Sequence, residues 1–290
     1  MSSDRSGTRE NQRIGITETL LKEPVEAWGE NMRNNELNIN VTVTWTARVT
    51  ALAILLTGAL VPRQAQGAIA LDRTRLIFDG GQASVSLNIS NQNKQLPYLA
   101  QGWIEDEHGN KINSPLTVLP PVQRLDPGTL SQVKIQALPA AQLLRQDRET
   151  LYFFNLREIP PKSSKANTLQ IALQTRIKIF YRPRGIEADK NGPPPQEQIT
   201  LTKQGGQYVV ANPTPYYVTF VDASDKKGGP GVRGFVAMMV PPKGSLPLTV
   251  SAASVGDHPV LTFVNDYGGR PTLSFSCSGS VCKVVPEKKA

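Results

Sequence analysis

A chain of 290 residues has room for one large or two ordinary domains, and two histidines and two cysteines leave little from which to build a catalytic triad or a metal cluster. Lys and Arg outnumber Asp and Glu by 32 to 24, for a net charge of +8, and the excess falls downstream of residue 67, because residues 1–67 carry seven charges of each sign. The downstream basic residues are scattered, with no block of five or six and no interleaved aromatic stripe, which argues against nucleic acid as a partner.

The first element is a leader. Residues 1–45 are polar, mixed in charge and without periodicity, and Met32 offers a second possible start. Arg48 then precedes an apolar run over residues 49–61, and Ala65-Gln66-Gly67 follows with small residues at its first and third positions. This is the order of a secretory signal, which predicts cleavage between Gly67 and Ala68 and export to an oxidising compartment. The run falls short of the ~20 residues that a membrane span needs, so no stable membrane association is expected.

From Ala68 onward the pattern is all-β. Short strand-like runs, punctuated by Gly, Pro and Asn, predict strands over residues 70–78, 83–90, 98–105, 131–138, 150–157 and 168–182. Turn chemistry divides them, at Asp79-Gly80-Gly81, His108-Gly109-Asn110 and Asp126-Pro127-Gly128. The spacing fits a β-sandwich over 68–184. The two histidines, His108 and His258, each stand alone in a turn-like context and read as surface residues.

The segment 168–183 stands out. Leu169, Ile171, Leu173, Thr175, Ile177, Ile179 and Tyr181 share one face, and Gln170, Gln174, Arg176, Lys178 and Arg182 lie on the other. At ~3.3 Å per residue such a strand would reach ~50 Å, well beyond a usual strand of 5–6 residues. Pattern alone fits either a long, half-buried strand of this domain or a strand offered to another chain.

Residues 183–195, with Gly192 and three consecutive prolines, read as a linker. Strands resume at 198–203, 207–212, 216–222, 234–240, 259–264, 272–277 and 282–285, with a Gly-rich loop at 225–234, and predict a second all-β domain over 185–290. Cys277 and Cys282 flank a short Gly- and Ser-containing stretch that fits the tip of a hairpin, and in an exported chain they are expected to form a disulfide.

Several segments resemble the periplasmic pilus-assembly chaperones: LDRTR (71–75), NKQLPYLAQ (93–101), PPVQRLDPG (120–128), QDRETLYFFNLREIPP (146–161), LQIALQTRIKIFYRP (169–183), NPTPYYVT (212–219) and NDYGGRP (265–271). The resemblance implies two Ig-like β-sandwich domains arranged in an L with a cleft between them, and a binding protein with no enzymatic cycle, cofactor or metal. Its implied partners are pilin subunits, to which it donates a β-strand, and an outer-membrane usher, to which it delivers them. By the same resemblance Leu169, Ile171, Leu173 and Ile177 are the strand's subunit contacts. Arg75 and Lys178 anchor the subunit's terminal carboxylate, Glu149, Arg182 and Asp266 bridge the two domains, and Leu119-Pro120 is a cis peptide. Two competing readings differ in class. A pilus subunit or adhesin would be a single Ig-like domain with an exposed N-terminal extension, which two domains and a mid-chain donor strand oppose. A secreted enzyme on a sandwich scaffold finds little support in so few histidines and cysteines.

Overall fold

Period-two alternation in 68–184 does fold into strands, ten of them, divided between two sheets. The structure, a computed structural model, describes residues 67–187 and 192–286, and these belong to one compact unit; the proposed signal segment lies outside the described residues. In chain order the strands are β1 (Ile69–Leu71), β2 (Arg75–Asp79), β3 (Ser84–Asn91), β4 (Tyr98–Glu105), β5 (Lys111–Ile112), β6 (Leu116–Leu119), β7 (Val122–Leu125), β8 (Leu130–Ala137), β9 (Thr150–Ile159) and β10 (Gln174–Arg182). One sheet runs β1-β3-β8-β6; the other runs β2-β10-β9-β4-β5, with β7 also paired to β4. Their inward faces enclose a core that includes Leu76, Phe78, Leu87, Ile89, Ile104, Phe154, Ile179 and Tyr181. Leu119-Pro120 is cis, as is Ser114-Pro115.

The second sandwich contains β11 (Thr200–Gln204), β12 (Gln207–Asn212), β13 (Val218–Ser224), β14 (Met238–Val240), β15 (Gly244–Ser251), β16 (Val260–Val264), β17 (Thr272–Ser278) and β18 (Val281–Val284). They form a continuous path, β14-β13-β16-β17-β18-β11-β12-β15, around a core of Tyr208, Val210, Phe220, Leu261, Phe263 and Phe275. Among the described residues helix is confined to 3₁₀ turns and one four-residue α-helix, Ala252–Val255, whose first turn is capped by the Ser251 hydroxyl accepting from the Ser254 amide. Among the described residues no helix is long and apolar enough to cross a membrane.

The structure differs from the sequence expectation in several elements: β5, β6 and β7 are strands that the sequence reading does not predict, β14 covers only the end of the expected 234–240, and there are three further differences. The run 70–78 is not one strand: β1 pairs antiparallel with β3 and β2 pairs in parallel with β10, so the chain changes sheets at Asp72–Thr74. There the Asp72 carboxylate accepts from the amide and side chain of Asn88 and pairs with Arg73, fixing the corner. Strand β15 was not expected, because Pro247 interrupts the pattern; it lies at the end of the sheet order, where a missing N–H is tolerated. The long strand 168–182 is the third. Its ladder with β9 begins only at Gln174.

The reason lies in the partner. Extending the β9–β10 register places Glu158 opposite Leu173 and Pro160 opposite Ile171. The Glu158 amide donates to the Leu173 carbonyl at 3.0 Å, but Pro160 and Pro161 have no N–H, and regular pairing stops. Beyond that point the Gln170 side chain donates to the Pro161 carbonyl in place of a ladder bond.

Cys277 and Cys282 are bonded, facing each other across the β17–β18 hairpin. Closing so short a loop is expected to stabilise the domain by ~2 kcal/mol through the unfolded state. Urea unfolding with and without reductant should differ by that amount. Two alkylatable thiols in unreduced native protein would contradict the pairing.

Candidate functional site

Strand β10 carries both halves of the site. Its apolar face is continuous: Ile177, Ile179 and Tyr181 complete the core of the first sandwich, and the same row runs on past the ladder's end through Leu173, Ile171 and Leu169. These last three are 46%, 68% and 87% exposed. Ile177, expected to belong to the subunit-contacting row, is instead only 6% exposed and packs inside its own domain, opposite Phe154. The other edge of β10 pairs with β2 only from Lys178 onward. The segment before Lys178 therefore presents an open edge beside an uncovered apolar row, an arrangement that natural sheets otherwise avoid.

The opposite face is polar and largely paired at this end, although among the described residues the buried Asn155 Nδ2 has no partner. Gln174 Nε2 donates to the side-chain Oδ1 of Asn155, and Arg157 donates to Gln174 Oε1. Arg176 pairs with Glu105 at 3.0 Å and stacks 3.4 Å from the centre of the Phe153 ring.

Next along the strand, parallel pairing places Lys178 in register with Arg75. Two cations thus lie side by side from segments a hundred residues apart, and among the described residues neither has a carboxylate in salt-bridge contact. Burial lowers the pKa of Lys178 and the neighbouring Arg75 lowers it further; burial also lowers Arg75, against an opposing pull from Asp266. Arg75 donates to the Val264 carbonyl at the end of β16 at 3.2 Å, while its buried Nε has no partner. This is an under-compensated cationic pair with donor capacity to spare, suited to a carboxylate. It borders a cleft lined by Thr74–Ile77 of the first sandwich and by Asp266, Tyr267 and Gly268 of the second.

The structure brings Glu149, Arg182 and Asp266 together. Arg182 makes two hydrogen bonds to Asp266, at 2.8 and 3.2 Å, and two to Glu149 Oε1, at 2.8 and 2.9 Å. The other Glu149 oxygen accepts from the Tyr217 amide at 2.8 Å, and the Tyr216 ring lies under the guanidinium. The two ends of the pair respond differently. Burial pushes the Glu149 carboxyl up to about 7, with Arg182 and the Tyr217 amide pulling it back; burial also opposes the Arg182 charge, but Asp266 and Glu149 outweigh it and raise its pKa. Four short charge-assisted bonds on one guanidinium favour the ionised pair.

Among the contacts between the sandwiches that sequence reasoning missed, two involve basic residues. One is the Val264 carbonyl that receives Arg75, a backbone group with no signature. The other is Lys243, which reads as an unattached surface cation but pairs with Asp147 at 3.1 Å. Arg148 and Lys243 hold the Asp147 carboxyl well below its usual range.

Fold and site together define a two-domain all-β chaperone. A family model described as "Pili and flagellar-assembly chaperone, PapD N-terminal domain" matches residues 68–187, and one described as "Pili assembly chaperone PapD, C-terminal domain" matches 194–275. The protein described as "Probable fimbrial chaperone YfcS" of Escherichia coli strain K12 is 49% identical over 243 residues, covering 84% of this chain and 96% of that protein. "Chaperone protein PapD" of Escherichia coli is 52% identical over 227 residues, covering 77% and 92%. Among solved structures, the periplasmic chaperone SfaE is 30% identical, with a TM-score of 0.57 over 71% of this chain and 98% of that one. The complex of the Salmonella enterica SafA pilin with the SafB chaperone, at 23% identity and TM-score 0.61 over 74% of this chain and 99% of that one, shares the fold. The chain belongs to the pilus-assembly chaperones, a non-enzymatic family.

Proposed function

We propose that this chain is exported, is cut between Gly67 and Ala68, and works in the periplasm by lending residues 169–177 to pilin subunits as their missing strand before passing them to an outer-membrane usher. One observation carries this reading: the exposed row Leu169, Ile171 and Leu173 beside an open strand edge. Added backbone hydrogen bonds would supply affinity, and alternate side chains entering an apolar groove would supply specificity. Ile177 takes no direct part, because its side chain already fills its own core. Its place in that core instead sets the face on which the exposed row emerges.

In this reading Arg75 and Lys178 hold the subunit's terminal carboxylate. A fixed carboxylate sets the register of the added strand, and register matters because a slip of one residue would turn every apolar side chain out of the groove. Glu149, Arg182 and Asp266 serve the binding indirectly, by holding the two walls of the cleft together.

Ile171→Glu is expected to leave the chaperone folded, since the position is exposed, and to abolish capture. The variant loses the ~1.5–3 kcal/mol that burying such a side chain contributes and must also place a charge in an apolar groove. Circular dichroism should match wild type while pilin co-purification from the periplasm fails. Normal yields of complex would mean that the strand is not donated in this way.

A further inference from the structure

Glu158 is a carboxylate that the site described above does not use. It is 7% exposed, and among the described residues no basic side chain pairs with it. The cations that line its pocket are engaged elsewhere: Arg73 holds Asp72 at 2.9 Å and Arg176 holds Glu105 at 3.0 Å. Its side chain accepts one hydrogen bond, from the Ile69 amide to Oε2 at 2.8 Å. A Cβ placed on Gly67 would lie 3.2 Å from the same oxygen and 3.5 Å from Leu173 Cδ1. One carboxylate oxygen therefore lies beside Gly67 and accepts from the Ile69 amide, the residues on either side of Ala68. The segment is fixed there, because the Ala68 carbonyl accepts from the Gln92 amide at 2.7 Å and Ile69 pairs with Asn91.

An unpaired buried carboxylate is costly, and this one faces the bond at which the leader is expected to be cut. We infer that Glu158 receives the α-ammonium group created by that cut, forming an ion pair that exists only in the processed chain. The inference rests on the leader reading given above. In the hydrolysis, a water oxygen adds to the Gly67 carbonyl carbon, which leaves with the leader as a carboxylate. The bond between that carbon and the Ala68 nitrogen breaks, and the nitrogen takes both protons of the water and becomes a cation. Glu158 would then fasten β1 through its side chain and the base of the exposed row through its backbone, whose amide holds the Leu173 carbonyl at 3.0 Å. Processing would thereby complete the frame from which the donor segment projects, and a chain that keeps its leader would lack the cation.

The test uses the exported protein. Intact mass fixes the mature N-terminus, and a start other than Ala68 overturns the leader reading. In that event a protease site engineered ahead of Ala68 generates the same terminus, so the pair is tested either way. Four forms are compared: a free Ala68 terminus or one extended by Gly-Ser-Gly, each with Glu158 or Glu158→Gln. Glutamine keeps an acceptor for the Ile69 amide and removes only the charge. With a free terminus, Glu158→Gln should lower Tm by about 2–4 °C. With the extended terminus, where the carboxylate stays unpaired, the substitution should leave Tm unchanged or raise it. The Ala68 amino group, followed by NMR, should titrate about one unit or more above its ordinary ~7.7–8.0 in the Glu158 form and return to that value in the Gln form. Equal losses of Tm in both backgrounds, or an unshifted amino group, would overturn the inference.

Discussion

Arg75→Ala and Lys178→Ala should each cut subunit affinity by about 30-fold to several thousand-fold, corresponding to the 2–5 kcal/mol lost when one partner of a desolvated charge pair is removed. The two substitutions should differ in their effect on the free chaperone. Lys178 is a partly buried cation beside Arg75, and both its burial and that neighbour disfavour its charge. Removing it relieves repulsion, so the Tm of Lys178→Ala is expected to equal or exceed that of wild type. Arg75 donates to the Val264 carbonyl, so Arg75→Ala should cost about 1 kcal/mol of stability, in the range of a single hydrogen bond. The double variant should bind little worse than either single one, because both cations act on the same carboxylate. Lys134→Ala is the surface control, an exposed residue on β8; Lys243 is unsuitable because it pairs with Asp147. Titration calorimetry with a peptide ending in the free carboxylate of a subunit, and with the same peptide amidated, completes the measurement. Equal losses at Lys134, or no loss on amidation, would point to general electrostatic attraction instead of an anchor.

That pair also marks the limit of what was legible in the sequence. Strands with clean alternation and strong turns on both sides, such as 98–105 and 207–212, could be placed to the residue. A change of sheet could not: residues 70–78 read as one strand-like run although Asp72-Arg73-Thr74-Arg75 divide its apolar residues, and the side-chain bonds of Asp72 show how the chain is held as it passes from one sheet to the other. Alternation likewise placed Ile171 and Ile177 on one face but could not say which of them is covered. Coverage depends on where the neighbouring strand ends, and here Pro160 and Pro161 end it, a signal present in the sequence once the pairing register is known. The adjacency of Arg75 and Lys178 arises from parallel pairing across a hundred residues, to which local pattern is blind; the family resemblance supplied it. Backbone acceptors such as the Val264 carbonyl leave no trace at all. The apolar row, by contrast, was visible at once, because a strand that outruns its own core keeps its periodicity.

Arg182→Ala is expected to produce the largest loss of stability of any single substitution at this site. The Glu149 side chain is 1% exposed, and its two oxygens receive Arg182 and the Tyr217 amide. Truncating the arginine leaves a buried carboxylate whose charge is met by one amide alone, a change that typically costs 3–5 kcal/mol. Asp266→Ala should cost much less, because that carboxylate is 42% exposed and Arg182 retains Glu149. Adding Glu149→Gln to Arg182→Ala should restore a good part of the loss, since a neutral amide is far cheaper to bury than an ion. Urea unfolding measures the global effect. Hydrogen exchange at the Tyr217 amide measures the local one, and protection there should fall in Arg182→Ala before the strands of either core open. Because Glu149 and Arg182 belong to the first sandwich and Tyr217 and Asp266 to the second, such a variant should also bind subunits less tightly even though Arg75, Lys178 and the exposed row are untouched. A stability within about 1 kcal/mol of wild type would show that the two sandwiches are held together chiefly by other contacts, such as the Phe180–Tyr217 packing and the Asp147–Lys243 pair, and not by the buried arginine.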